Sequence, residues 1–209
     1  MPGRPGRNRG HGQGVRGFRR DTDLQRWPNT REQRRSILIV TNGNRTEVDY
    51  FEALRQENWV TAGKVKPKFE HGDPATIVLR AATIRDEGDY DEAWAVCDVD
   101  EFDVKSAIAS ATANDVRLAL SAPCFEVWLI LHLSERCPGF NDAAQAGSHL
   151  KKLLRTWDKK SLRFEDFRAG VEGAATRAGR LGDPPDANPS SAVWRLVKSL
   201  RALRGGRGR

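Results

Sequence analysis

An α/β fold is predicted: a mostly parallel sheet flanked by helices, followed by a C-terminal helical annex. Three observations predict it. Short apolar runs rich in β-branched residues recur at 36–41 (SILIVT), 93–97 (AWAVC) and 116–121 (VRLALS), with a weaker one at 65–70 (VKPKFE). Helical spacing fills the intervals between them, and beyond residue 138 no strand signal is convincing. Regular alternation of strand and helix implies parallel strands joined by right-handed crossovers, with helices on both faces.

Taken in order, the first strand runs into Thr41-Asn42-Gly43-Asn44, a polar turn holding a glycine. A helix opens next, where Thr46 with Asp49 resembles a capping start and Tyr50, Phe51 and Leu54 share one face. Residues 74–86 open on Pro74 at a first helical position and carry Ile77, Val78, Ala81 and Ile84 at helical spacing. Residues 103–113 are alanine-rich, and 123–134 form an apolar helix after Pro123. In the annex, 142–157, 164–180 and 189–204 read as helices separated by the turns KKS and GDPPDANPSS. Trp157, Phe164, Phe167, Trp194 and Leu196 are its expected packing anchors.

The net charge of +7 divides unevenly along the 209 residues. Residues 1–35 hold ten Arg and three acidic residues, a balance of +7, and residues 198–209 hold five basic residues and no acidic one. The remainder therefore carries −5. An acidic folded part with basic ends suggests three segments: a disordered basic arm over 1–33, a domain over 34–204 and a basic tail over 205–209. Within the domain the α/β core covers 34–137 and the annex 138–204. Arg16, Arg19 and Arg20 of the arm, with Arg45 beside the first strand, are the candidate nucleic-acid contacts, since arginines hold phosphates without reading sequence. The blander reading of the arm is a solubilising tail.

No run approaches the roughly 20 apolar residues of a membrane helix, and the arginine-rich start has no apolar signal region, so a cytoplasmic protein without a membrane partner is expected. Cys97, Cys124 and Cys137 form no CxxC pair and fit reduced thiols. Self-association is left open.

In parallel sheets ligands bind at the C-terminal strand ends. The first strand delivers Asn42, Gly43 and then Glu47. The third ends in CDVDEFD, where Asp98 and Asp100 are spaced to face the same side. The fourth delivers Ser121 and, in the next helix, Glu126. Three rims thus bring carboxylates together without a matching set of Lys or Arg. Converging carboxylates suit a hard cation, Mg²⁺ or Mn²⁺, and the ion suits phosphodiester hydrolysis. The blander reading of CDVDEFD is a solvated acidic turn. A DxDxT phosphatase motif is excluded by Phe102, and no GxxxxGK[ST], HExxH or GxSxG motif occurs. His132, in an apolar helical run, reads as a hydrogen-bonded packing residue.

The run ILIVTNGNRTEVDYF resembles the opening hhhhxEGxxTExxYF of RloB-like proteins. AWAVCDVDEFD resembles their hxxVxDxDxxx strand, SAPCFEVWLILHL their SNPxFExWLLLHF helix, and NPSSAVWRLVKSL their closing helix. The resemblance implies a Toprim-like fold, a place beside restriction systems and in abortive phage infection, and an ATPase partner encoded by a neighbouring gene. It implies a metal-binding nuclease site in which Asp98 and Asp100 match the Asp-x-Asp pair, Glu47 the second glutamate of the opening motif and Glu126 the Phe-Glu position. Asn42 stands where the family has its first glutamate. An amide oxygen can bind metal but adds no negative charge and accepts no proton as a base. Two functions follow. One is a Mg²⁺- or Mn²⁺-dependent nuclease on DNA or RNA, with Asp98, Asp100 and Glu47 on the metal, Glu126 assisting and Asn42 as the altered position. The other is a subunit that binds nucleic acid or a partner without cutting.

Overall fold

The computed structural model describes residues 35–99, 102 and 104–201. The basic arm with Arg16, Arg19 and Arg20, the tail over 205–209, and Asp100 lie outside the described residues. Four parallel strands, β1 (Ser36–Thr41), β2 (Lys64–Phe69), β3 (Glu92–Asp98) and β4 (Arg117–Ala122), are joined at one edge by a short antiparallel strand, β5 (Ser190–Ser191). The order across the sheet is β2-β1-β3-β4-β5.

Burial explains which strands lie inside. Ile37, Leu38, Ile39 and Val40 of β1 are all fully buried, as expected of a central strand covered on both faces. In β2 exposed and buried residues alternate, and Pro67, which cannot donate to a ladder, is tolerated because this strand is an edge. The sequence had offered no strand beyond residue 138. Ser190 and Ser191 overturn that, their two hydroxyl side chains carrying no apolar alternation to read.

Two apolar layers sandwich the sheet. On one side Leu38 and Val40 pack with Ile77, Val78 and Ala81 of α2 (Pro74–Gly88) and with Val104 and Ala111 of α3 (Val104–Ala113). On the other, Ile37 and Ile39 pack with Tyr50, Phe51 and Leu54 of α1 (Thr46–Leu54) and with α4 (Glu126–Leu133). α4 is apolar on every side and correspondingly buried on every side, from Val127 to Leu131. The annex helices α5 (Ala143–Leu153), α6 (Glu165–Arg168), α7 (Val171–Ala178) and α8 (Val193–Arg201) contribute to this same layer. Trp157, Phe164, Phe167 and Leu196 are buried in it, while Trp194 is half-buried beneath Arg195 and Lys198.

Helix ends show where local signals held and failed. Asp73 caps α2 by accepting the Thr76 N–H at 2.7 Å, with Pro74 in the first turn. Thr46 does not cap α1: Arg45 takes that position without a side-chain cap, and the Thr46 hydroxyl donates instead to the Lys159 carbonyl at 3.1 Å. The single helix expected over 164–180 is two helices, α6 and α7, meeting at Gly170. A Cβ there would overlap the His132 backbone, so the break is where the annex turns closely against α4. Cys97, Cys124 and Cys137 are free thiols. Among the described residues no helix is long and apolar enough to cross a membrane.

Candidate functional site

The strand order places β2 and β3 on opposite sides of β1, so a crevice opens at the C-terminal ends of β1 and β3. A cleft of about 560 Å³ lies there. Asn42, Gly43, Arg45 and Glu47 line it from the β1 side, Asp98 from β3, and Lys159 and Lys160 from the annex.

The turn after β1 is built to bring Glu47 back over the strand end. The Thr41 hydroxyl donates to the Gly43 carbonyl at 2.7 Å, and the Asn42 N–H extends the ladder to the Val96 carbonyl at 3.3 Å. Gly43 has no side chain where the Glu47 carboxylate lies, and a methyl group at this position would overlap it. The missing Cβ is what lets the Glu47 carboxylate lie against this turn. Glu47 is 7% exposed and Glu126, at the start of α4, is 3% exposed. Asp98 ends β3, and its Oδ1 accepts the Phe125 N–H at 2.9 Å, which ties β3 to the mouth of α4.

The three carboxylates act on one another. Burial, with the charges of Glu47 and Glu126, pushes the Asp98 carboxyl well above the usual carboxylate range, against the opposing pull of Lys159 and the Phe125 N–H. Burial, with the Glu126 charge, raises Glu47 despite a bond to its own backbone N–H. A like charge nearby disfavours ionisation just as burial does.

Lys159 corrects the expectation of carboxylates without a matching cation. Its Nζ lies 2.9 Å from Glu126 Oε1, and although burial pulls its pKa down, Glu126, Asp98 and Glu47 together raise it. The lysine sits in the KKS turn, which two residues of the β1 side hold in place. Thr46 donates to the Lys159 carbonyl, and Arg45 Nη1 donates to the Lys160 carbonyl at 3.3 Å. Arg45, predicted as a phosphate contact, therefore lines the cleft while also bracing this loop. A second cleft of about 490 Å³ meets the first at Lys159 and reaches Glu126, Lys151 and Trp157.

Of the residues predicted for the site, Asn42, Glu47 and Asp98 share the cleft, and Glu126 joins them through the Lys159 bridge and its field. Ser121 does not join them. It is buried, and its hydroxyl pairs with the Ser191 hydroxyl at 2.9 Å across β4 and β5. Lys159 and Lys160 escaped sequence reading because a short Lys-Lys turn between annex helices carries no signal of what it faces.

An all-oxygen set of mutually repelling carboxylates suits a hard divalent cation in kind. In this arrangement no three His, Cys, Asp or Glu residues among the described ones are grouped to hold one ion together, and a lysine neutralises Glu126.

The family model described as RloB-like protein matches residues 37–200. No curated protein matches the chain. Among solved structures, the type B ribose 5-phosphate isomerase of Leishmania infantum aligns at 13% identity over 70% of this chain and 99% of that one. Its TM-score of 0.26 carries no argument about fold or function. The family match spans well over half of the sequence and includes the Gly43 turn, Glu47, Asp98, Glu126 and Lys159, so the chain belongs to the RloB-like protein family.

Proposed function

We propose that the cleft between β1 and β3 is the centre of a Mg²⁺- or Mn²⁺-dependent phosphodiesterase that cuts DNA or RNA. The observation that supports it is the convergence of Glu47 and Asp98 on one cleft, with Glu126 near enough to raise the pKa of both. Buried carboxylates that repel one another cost stability unless a cation relieves them. Glu47 and Asp98 would hold the ion, with Asp100 as a further donor and Asn42 offering an amide oxygen. A bound divalent ion would polarise a phosphoryl oxygen and acidify the attacking water. The chain's own residues supply the rest. The Phe125 N–H holds Asp98 in place, the absent side chain of Gly43 leaves room for Glu47, and Glu126 would assist from its buried place at the start of α4. The arm arginines Arg16, Arg19 and Arg20 would add phosphate affinity without sequence preference.

The biological setting we infer is bacterial anti-phage abortive infection in the cytoplasm, together with an ATPase encoded by a neighbouring gene. It rests on the likeness of the RloB-like motifs and of a Toprim-type Asp-x-Asp site.

A second reading is favoured by Asn42, which lacks the charge of a glutamate, and by the hold of Lys159 on Glu126. In it the chain binds nucleic acid or its partner without cutting. Cleavage of single- and double-stranded DNA and of RNA should be measured at several Mg²⁺ and Mn²⁺ concentrations, with and without the ATPase. Wild type, Asp98→Ala and Asn42→Glu would be compared. The nuclease reading expects metal-dependent cleavage that Asp98→Ala abolishes and Asn42→Glu raises. No cleavage by wild type or Asn42→Glu, with the ATPase present and metal saturating, would favour the binding subunit.

A further inference from the structure

Both basic ends of the chain are attached to the fold at one place. Residues 1–34 join the described chain at Arg35, whose carbonyl accepts the Gly63 N–H at 2.9 Å and the Lys64 N–H at 3.4 Å at the foot of β2. The described chain ends at Arg201, where Thr61 donates its N–H to the Leu200 carbonyl at 3.0 Å and its hydroxyl to the Arg201 carbonyl at 3.0 Å. The segments that carry +7 over residues 1–35 and five basic residues over 198–209 are therefore attached side by side on the connection into β2.

β2 continues this charge into a domain that is otherwise acidic, since residues 36–197 sum to −5. Val65 packs into the layer of Ile37 and Ile39, so alternation turns Lys64, Lys66 and Lys68 to the opposite face, where all three are exposed. Positions two apart on one face lie about 6.7 Å from each other, a step on the scale of that between successive phosphates of a nucleic-acid strand. Lys64 Nζ stands 4.1 Å over the Tyr90 ring and Lys68 Nζ lies 2.9 Å from Glu70 Oε1, an exposed pair that contributes little. Lys66, between them, has no ion-pair partner among the described residues. Lysines on an edge strand also discourage pairing with another strand. Pro67 already serves that end: the Lys64 and Glu70 N–H groups point toward the β1 side, so alternation turns the Pro67 backbone outward, where proline offers no donor. A regular row of three ammonium groups suits instead an anion of the same repeat. β2 runs parallel to β1 with Phe69 opposite Thr41, so the row climbs from the foot toward the rim that bears the Gly43 turn and the cleft.

We propose that the lysine face of β2 is a nucleic-acid track: Lys64, Lys66 and Lys68 hold successive phosphates of one strand without reading its bases, and lead it from the attachment point of the basic ends toward the cleft rim. Nucleic acid as the ligand is common to both readings above, and the track serves either, because it needs neither metal nor cutting.

Fluorescence anisotropy of the full chain with labelled single-stranded DNA, in a chelator and across a salt series, tests this. Lys64→Gln, Lys66→Gln and Lys68→Gln together should weaken binding about tenfold at the lowest salt, equally for oligo(dT) and a mixed sequence, and lower the salt slope by about 2. Lys66→Gln alone should lower the slope by about 0.7, and this single exposed change carries the test where circular dichroism shows the triple variant altered. Arg at all three positions should bind as wild type does. Arg136→Gln with Lys152→Gln and Arg180→Gln, which removes three exposed charges from the annex, should weaken binding no more than about threefold and leave the slope unchanged. Unchanged affinity and slope in the β2 variants, with wild type binding, returns the lysines to edge protection and overturns the track alone. Equal weakening by the annex variant also overturns it, since net charge would then account for the loss. No binding by wild type at low salt removes nucleic acid as the ligand and overturns the track together with both readings of the cleft.

Discussion

The Oδ1 of Asp98 accepts the Phe125 N–H at 2.9 Å, so the last residue of β3 is tied to the residue that caps the start of α4. Asparagine at 98 keeps an oxygen for that bond and removes the charge that Glu47 and Glu126 oppose. Without metal, Asp98→Asn should therefore melt at or above the wild-type temperature, whereas Asp98→Ala, which also loses the bond, should lose about 1 kcal/mol or more. With millimolar Mn²⁺ the wild type should rise in melting temperature, because only the folded state assembles the site. Asp98→Asn combined with Asp100→Asn should show no rise. Thermal melts with and without metal decide it, and equal rises in all proteins would remove these carboxylates from the site.

Gly43→Ala should keep the fold and damage the site. The added methyl would overlap the Glu47 carboxylate, which is the movable end of a side chain, so the backbone need not shift. Glu47 is then displaced from the cleft that Asp98 shares. The far-ultraviolet circular dichroism should match wild type while the metal-dependent rise in melting temperature shrinks or vanishes. An undiminished rise would show that Glu47 is not needed for the ion.

His132 should make the protein acid-sensitive. Its Nε2 meets the Tyr50 hydroxyl at 3.0 Å and its Nδ1 the Trp128 carbonyl at 2.8 Å, so both ring nitrogens are engaged in the buried layer. Burial, with the Arg177 charge adding to it, pulls its pKa down from 6.5 to about 4, while the Trp128 carbonyl opposes this. Because the unfolded chain takes up the proton first, the stability His132 contributes is full above pH 6.5 and is lost as pH falls toward about 4. The loss is up to about 3 kcal/mol. Denaturant midpoints from pH 8 to 4 should fall more steeply for wild type than for His132→Phe. That variant starts lower at pH 7 because it leaves the Tyr50 hydroxyl without its partner, at about 1–3 kcal/mol. Parallel profiles would assign the acid loss elsewhere.

Deleting residues 1–30 removes seven Arg and two Asp, a net +5. If the arm holds phosphates, its loss should weaken binding to DNA and RNA of any sequence and flatten the dependence of affinity on salt. Fluorescence anisotropy across a salt series measures both. An unchanged slope would return the arm to a solubilising tail.

What the sequence disclosed follows from where burial is continuous. β1, β3 and β4 were legible because each is an apolar run between polar turns, and the rims they define pointed to Asn42, Glu47 and Asp98. β5 was not legible, since its two serines present hydroxyls rather than an apolar face, and the pairing of Ser191 with Ser121 removes Ser121 from the site. The break between α6 and α7 depends on the approach of Gly170 to α4, a tertiary contact that helical periodicity does not encode. Lys159 was hidden for a similar reason. Its partner Glu126 is distant in sequence, and the bonds that aim it come from Arg45 and Thr46.

The central claim is that a divalent ion occupies the cleft between β1 and β3, and anomalous diffraction at the manganese edge from crystals grown with Mn²⁺ tests it most directly. The expected result is a manganese peak within ligand distance of Asp98 and Glu47. Ordered manganese found only elsewhere, with the cleft empty at saturating Mn²⁺, would contradict it.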